Sequence, residues 1–496
     1  MEKIYYKSTR GHSRPVSAAE AIIKGIAGDG GLFVPDPIPP PLNLTELAGL
    51  NYRRLALHVM KRFLTDFSDE ELSNCIAAAY DQKFDVPEIV PLTEQDGLYF
   101  LELYHGPTLA FKDMALSILP HLLRTAVKKT GISKEIVILT ATSGDTGKAA
   151  LQGFAGVPGT RIIVFFPEHG VSQVQKRQMV TQDGSNTHVI GIEGNFDHAQ
   201  NGVKEMFTDA GLIAKIAEKN FIFSSANSIN VGRLIPQIVY YVYAYLQVCA
   251  RGDLQIGEEI NFTVPTGNFG NILAGYYAAK IGVPVKKLIC ASNENNVLYD
   301  FFRNGIYDIE REFTITMSPS MDILISSNLE RLLYMICGQD GEKTKQLMRQ
   351  LSETGRYEIT GEMRKGLALF FGGFATEDET AAAIRDLFQS RSYLIDTHTA
   401  VACAVYQKYL GETGDRTKTV VVSTASPYKF TRDVMKSIHE KYQSVNEFEL
   451  IRHMSEISGL KIPDAVRDLD KKPVLHKSVC RRDQMKEQVE RILDLQ

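Results

Sequence analysis

Seven short apolar runs, closed by polar or glycine-rich turns and interspersed with longer helix-like stretches, limit what this chain folds into. They are YFLELYHG (99–106), EIVILTATSG (135–144), RIIVFFP (161–167), THVIGIEG (187–194), INFTVPTG (260–267), KLICASN (287–293) and TVVVSTASP (419–427). Rich in Val, Ile and Phe and without strict alternation, they read as strands buried on both faces, the habit of parallel sheets. Parallel neighbours need crossover connections, and the helical segments 147–154, 173–181, 235–250 and 272–281 supply them. The expected class is α/β.

Residues 1–95 follow another rule. AAEAIIKGIA (18–27) and the stretch 42–64 have helical period, with PDPIPPP (35–41) as a stiff connector between them. A length of 496 residues exceeds a single core. The expected division is a helix-rich N-terminal domain (1–95), a smaller mobile α/β domain (96–210) and a larger α/β domain ending in a helical tail (211–496). Net charge is −4, so nothing calls for a nucleic acid or other polyanion. No apolar run approaches the roughly 20 residues that cross a bilayer, and residues 1–17 lack the apolar core of a signal peptide. The six cysteines show no CxxC or metal-ligand spacing and HExxH is absent, so no metal is expected. These features together point to a cytoplasmic protein with no membrane partner.

Ligands of parallel α/β sheets collect at the carboxyl ends of strands, and three loops there carry small or hydroxylated residues. TSGDTGKA (142–149) opens a helix, where converging N–H groups and the helix dipole attract an anion. It is not a Walker A loop: Thr142 stands where the first glycine belongs, and Ala149 follows Lys148. An ordinary capped turn fits its composition equally. PTGNFGN (265–271) also precedes a helix and suits a phosphate or carboxylate, although it lacks the full G-x-G-x-x-G. STASP (423–427) either ends a strand or offers hydroxyls to a ligand. Elsewhere, HGPTLAFKD (105–113) sets Lys112 inside an apolar run. An amine stripped of water has a lowered pKa and becomes a nucleophile toward an aldehyde. The alternatives are a lysine that snorkels to the surface or pairs with Asp113. With two anion loops beside it, such a lysine suits pyridoxal phosphate, which needs a lysine, a phosphate cradle and a partner for its ring nitrogen.

HGPTLAFKD, ATSGDTGKAA, FPEHGVSQVQKRQM, GNFDHAQ, NSINVGRL, PTGNFGNILAGYYAAKIGVP, THTAVA and STASPYKF, in this order from about residue 105 to 430, resemble the threonine synthase family. STRG and GIAGDGGLFVPDPIP near the start resemble that family's opening. The resemblance implies the tryptophan-synthase-β type of fold, fold type II: two open, twisted, largely parallel sheets flanked by helices. It implies pyridoxal 5'-phosphate as cofactor, Lys112 as the Schiff-base lysine, and Gly267, Asn268, Phe269, Gly270 and Asn271 around the cofactor phosphate. Thr424 would meet the pyridine nitrogen. Ser143, Gly144, Asp145 and Thr146 match the loop that receives the substrate carboxylate, with Asp145 bordering the cofactor's O3'. Arg233, with Ser228 and Asn230, would clamp the substrate phosphate, and Thr108 and Lys148 are further substrate candidates. The family's STAHPAKF reads STASPYKF here, with Ser426 and Tyr428 in place of His and Ala.

The implied reaction converts O-phospho-L-homoserine and water to L-threonine and phosphate, the last step of threonine biosynthesis, by γ-elimination and β-addition. The nearest rival is a phospho-lyase of the same fold releasing 2-oxobutyrate and ammonia. A threonine dehydratase is disfavoured by the SGDTG loop and the GIAGDGGLFVPDPIP opening, and a nucleotide-binding protein by the missing Walker A and kinase signatures. A monomer is expected. The long N-terminal extension of plant relatives is not seen in this sequence, so control by S-adenosylmethionine is not expected.

Overall fold

The computed structural model describes residues 3–11, 14–142, 144–169 and 171–495. Two sheets carry the architecture. The larger orders its strands Phe370–Phe374, Val285–Ser292, Ile260–Pro265, Thr419–Ser423, Leu98–Glu102 and Leu92–Gln95, parallel except for the last edge strand. The smaller runs Ser478–Arg481, Thr187–Glu193, Thr160–Pro167, Glu135–Ala141 and Phe221–Ser224, parallel throughout. All seven apolar runs lie in these sheets. Burial on both faces explains their lack of alternation: every residue of Ile260–Pro265 and of Thr419–Ser423 is buried.

Sheet membership cuts across the segments 96–210 and 211–496. Leu98–Glu102 pairs with Thr419–Ser423 in the larger sheet, whereas Ser478–Arg481 returns from the tail to edge the smaller one. The tail is therefore not purely helical: only Cys480 of that strand is buried, too little pattern to show in sequence. The N-terminal region holds helices Ala18–Lys24, Tyr52–Phe63 and Asp69–Ala79, together with the antiparallel pair Tyr5–Ser8 and Phe33–Asp36. Ser17 and Ser68 start two of these helices with full capping boxes. The expected helix over 42–64 is interrupted between Leu44–Leu47 and the Asn51 cap of Tyr52–Phe63.

The helix Val231–Ala250 is buried along nearly its whole length and packs against Tyr52–Phe63 and Gly270–Lys280. All six cysteines are free. No described helix is long and apolar enough to cross a membrane.

The helix Asp145–Phe154 packs on the short helix Asp113–Leu116, and Gly153 sets their separation. A Cβ there would stand 2.1 Å from the Leu116 carbonyl oxygen. Since backbone cannot swing aside, Gly153→Ala is expected to cost about 1–3 kcal/mol or more. Urea unfolding should show a lower midpoint with an unchanged slope.

Candidate active site

The strand Leu98–Glu102 lies beside Thr419–Ser423, so the segments leaving their carboxyl ends run together. Leu103 N–H donates to Ser423 O at 3.0 Å, Phe111 N–H to Thr424 O at 2.8 Å, and Ser426 N–H to Leu109 O at 3.0 Å. The turn before Lys112 is closed by Asp113, whose carboxylate accepts the Thr108 N–H at 2.7 Å and its hydroxyl at 2.6 Å. Gly106 lies against Asp113, its notional Cβ 2.6 Å from that side chain, so only glycine fits. Leu109 takes a left-handed φ of 61° in the same turn. The sequence places a lysine in an apolar run; this turn is what fixes it at the start of Asp113–Leu116.

Lys112 pairs with Asp145, not with Asp113. Its Nζ lies 3.4 Å from Asp145 Oδ2 and 3.4 Å from Ser320 Oγ. Burial lowers its pKa; Asp145 opposes the shift, and the charges of Lys429 and Arg233 reinforce it. Asp145 is held by four donors. Gln175 Nε2 (2.9 Å) and Lys429 Nζ (3.2 Å) reach Oδ1, and Ser320 Oγ (2.5 Å) and Lys112 Nζ reach Oδ2. Burial alone would raise this carboxyl, but Lys429 and then Lys112 outweigh it and hold the group well below its usual range.

In the loop 142–149, the Thr142 hydroxyl accepts the Gly144 and Gly147 N–H groups, both at 2.9 Å. Gly144 has φ 137° and lies against the Gln175 side chain, which leaves no room for a Cβ. Thr146 is half-buried on the first turn of the helix. Ser143 lies outside the described residues.

The second loop turns through Phe269, a non-glycine residue in the left-handed region at φ 64°, directly before the helix Gly270–Lys280. Its ring packs on Phe302 and Phe370, which stabilises the turn. Asn271 receives the Tyr240 and Tyr241 hydroxyls on Oδ1 at 2.6 and 2.8 Å, while its buried Nδ2 has no partner among the described residues. An unpaired buried donor at a helix N-terminus fits a phosphate. From behind, Ser326 Oγ donates to Gly267 O at 2.5 Å and Asn328 Nδ2 to Asn268 O at 3.0 Å. Residues 267–271 thus suit the phosphate of pyridoxal phosphate, and Lys112 suits its aldehyde. Thr424 is buried and tied through its carbonyl to the Lys112 segment.

Arg233 is 3% exposed. Its Nη1 donates to Ala226 O at 2.9 Å, its Nε has no partner, and no carboxylate pairs with it among the described residues. Burial pushes its pKa down to about 10. Among the other candidates, Asn230 is committed to structure: Nδ2 donates to Ile22 O and Ser225 O, and Oδ1 caps the helix through Gly232 N–H. Thr108 spends both its donors on Asp113. Lys148 is buried and contacts Gln182 and Gln152; burial, with Lys429, lowers its pKa to about 7. Ser228 accepts from Asn328 Nδ2 at 3.4 Å, which links the NSINVGRL segment to the second loop.

Three members of the cluster were not singled out in the sequence. Lys429 carries the same signal as Lys112, a lysine in a buried run just after a strand end. Gln175 doubles as part of the Ser172 capping box, which disguises it. Ser320 comes from the loop 309–328, and nothing in the sequence points to it. Its N–H donates to His398 Nε2 at 3.2 Å, and His398 Nδ1 in turn faces Asp396 Oδ2 at 2.9 Å.

Three family models match the chain: "Threonine synthase N terminus" over residues 5–80, "Pyridoxal-phosphate dependent enzyme" over 84–370, and "Threonine synthase, C-terminal" over 399–491. Among similar proteins, "Threonine synthase-like 1" of Macaca fascicularis is 38% identical over 95% of this chain; the chain spans 63% of that protein's length. "Threonine synthase" of Pseudomonas aeruginosa is 38% identical, with 87% of this chain and 90% of that one covered. The crystal structure of PLP-bound threonine synthase from Brucella melitensis superposes with a TM-score of 0.88 at 34% identity, covering 99% of both chains. All three models match in chain order, and the fold agrees over essentially the full chain. The chain belongs to the threonine synthase family of pyridoxal-phosphate-dependent enzymes.

Proposed function

We propose that the chain is a threonine synthase, converting O-phospho-L-homoserine and water to L-threonine and phosphate. The observation that carries this reading is Arg233, a buried cation with an unpaired N–H, whose charge bears on Lys112 and which no carboxylate neutralises among the described residues. Buried charges are normally paired, so the missing anion is assigned to the substrate, whose phosphate is the dianion the site lacks.

Pyridoxal phosphate, when bound, supplies an electron sink for the bonds at the substrate's α-carbon. The chain's own residues do the rest. Lys112 anchors the cofactor and, freed as a neutral amine, takes the Cα proton and then a Cβ proton. Residues Gly267–Asn271 hold the cofactor phosphate, and Thr424 is assigned to the ring nitrogen. A neutral hydroxyl there does not hold a proton on that nitrogen as an aspartate would. The N–H groups of Asp145 and Thr146, on the first turn of the helix, take the substrate carboxylate, and Arg233 with Ser228 takes its phosphate. The phosphate leaves Cγ, a proton returned from Lys112 makes Cγ a methyl group, the hydroxyl of water adds at Cβ, and a second proton returns to Cα. The loop 309–328 backs Gly267 and supplies Ser320, which narrows the solvent's access to the cluster.

The reading extends to a cytoplasmic enzyme acting on a small molecule, without nucleic-acid or membrane partners and working as a monomer; free cysteines and a net charge of −4 support the compartment and the absence of a polyanionic partner. The test is purified protein with the cofactor and O-phospho-L-homoserine. Threonine and phosphate are expected in equal amounts. 2-Oxobutyrate and ammonia as sole organic products, or no phosphate release, would overturn it.

A further inference from the structure

We propose that Lys429 is a positioning residue for this chemistry: its buried ammonium fixes the Asp145 carboxylate and keeps Lys112 in its amine form. The inference rests on the reading of Lys112 as the cofactor's lysine and deepens it.

Lys429 opens no path to solvent, its side chain being 0% exposed. It lies in the short 3-10 turn Pro427–Phe430, directly after the strand Thr419–Ser423 and the Thr424 loop. Its Nζ donates to Thr108 O at 2.9 Å and pairs with Asp145 Oδ1 at 3.2 Å. The first contact anchors it to the turn that presents Lys112. The second places it across one carboxylate from Lys112, which occupies the other oxygen at 3.4 Å. A buried ammonium of fixed position costs folding free energy unless paired, and Asp145 is its only carboxylate partner among the described residues. The two lysines therefore compete for one negative charge.

That competition has a direction. With Lys429 in place, Asp145 is neutralised whether or not Lys112 carries a proton. Lys112 then gains little by being charged, and like-charge repulsion from Lys429 adds to the effect of burial. Without Lys429, Asp145 would have Lys112 as its sole cation, and the ion pair would favour the ammonium, which is neither nucleophile nor base. The groups bearing on Lys112 from the elements packed around it are few. Asp145 comes from Asp145–Phe154, Lys429 from Pro427–Phe430, Arg233 from Val231–Ala250, and Ser320 from the loop 309–328. Asp113 is its chain neighbour, already bonded to Thr108, and His398 bears on Asp145 from Thr397–Thr413. Of these, Lys429 alone is a cation in direct contact with Asp145 besides Lys112 itself.

The test reads the state of Lys112 without using substrate, so it stands apart from whether threonine is the product. Holoenzyme is equilibrated across a pH series and quenched with borohydride, and the fraction of Lys112 covalently bearing the cofactor is measured by peptide mass spectrometry. Lys429→Met should move the pH at which half of Lys112 remains bound upward by about one unit, about tenfold in the amine-to-ammonium ratio. Lys429→Arg keeps the charge and should hold the midpoint near that of the wild type. Because Lys429→Met leaves Asp145 short of a buried partner, Asp145→Asn and Asp145→Asn/Lys429→Met serve as a second pair, in which no unpaired carboxylate remains. The double variant should titrate above the single one. An unchanged midpoint in Lys429→Met, or identical midpoints in the second pair, would show that Lys429 only supports the fold and would overturn the proposal. Absence of bound cofactor on Lys112 in the wild type would overturn the reading beneath it.

Discussion

Lys112→Ala is expected to abolish threonine formation, with turnover lower by on the order of 10⁴-fold or more, since a positioned general base alone contributes about 10²–10⁴-fold and this lysine is also the covalent anchor. Lys112→Arg should be no better. A guanidinium stays protonated at any working pH and neither forms the bond to the cofactor nor accepts a proton. The protein should still fold. Among the described residues the Lys112 ammonium makes two polar contacts, both 3.4 Å long, and Asp145 keeps Lys429, Gln175 and Ser320. Loss of the visible absorption band of lysine-bound cofactor, with unchanged far-ultraviolet circular dichroism, would separate lost chemistry from lost structure. Retained turnover in Lys112→Ala would remove this residue from the mechanism.

Arg233→Met is expected to lower kcat/KM for O-phospho-L-homoserine by roughly 30- to 5,000-fold, the range for removing one partner of a buried charge pair, about 2–5 kcal/mol. The same change should raise the stability of the substrate-free protein. Among the described residues Arg233 is buried without an anion and with Nε unpaired, and such a group destabilises the fold that holds it. Function and stability are opposed at this position. Thermal unfolding with and without inorganic phosphate checks both halves. Wild-type Tm should rise with phosphate, because a ligand that binds only the folded state stabilises it. Arg233→Met should start higher and respond less. A variant that loses stability and keeps its phosphate response would assign Arg233 to the fold instead of to the substrate.

The strands that build both sheets were legible because burial on two faces writes itself as unbroken apolar runs. Four were not, Leu92–Gln95, Phe370–Phe374, Phe221–Ser224 and Ser478–Arg481: each has four or five residues and sits at an edge of its sheet. Sheet membership was harder still. Nothing local says that Leu98–Glu102 joins the larger sheet while Glu135–Ala141 joins the smaller, since both are apolar and both precede helices.

At the site, anomalies were the readable signals. Lys112 stands out as a charge in an apolar run, and the two glycine-bearing loops stand out at strand ends. Lys429 carries the same anomaly as Lys112 but hides behind the hydroxyls of STASP. Asn230 looks like a ligand in sequence, yet its amide caps a helix and bonds Ile22, a residue 208 positions away. Ser320 is unreadable because a serine in a long loop carries no pattern; only the folded chain brings it to Asp145, 175 residues away in sequence.

The proposed reaction is decided by where water goes. Run in ¹⁸O-water with O-phospho-L-homoserine, the holoenzyme should place the label in the threonine hydroxyl at Cβ and leave the released phosphate unlabelled, since the Cγ–O bond breaks and water adds at the neighbouring carbon. Label in phosphate with homoserine as product, or 2-oxobutyrate in place of threonine, would contradict it.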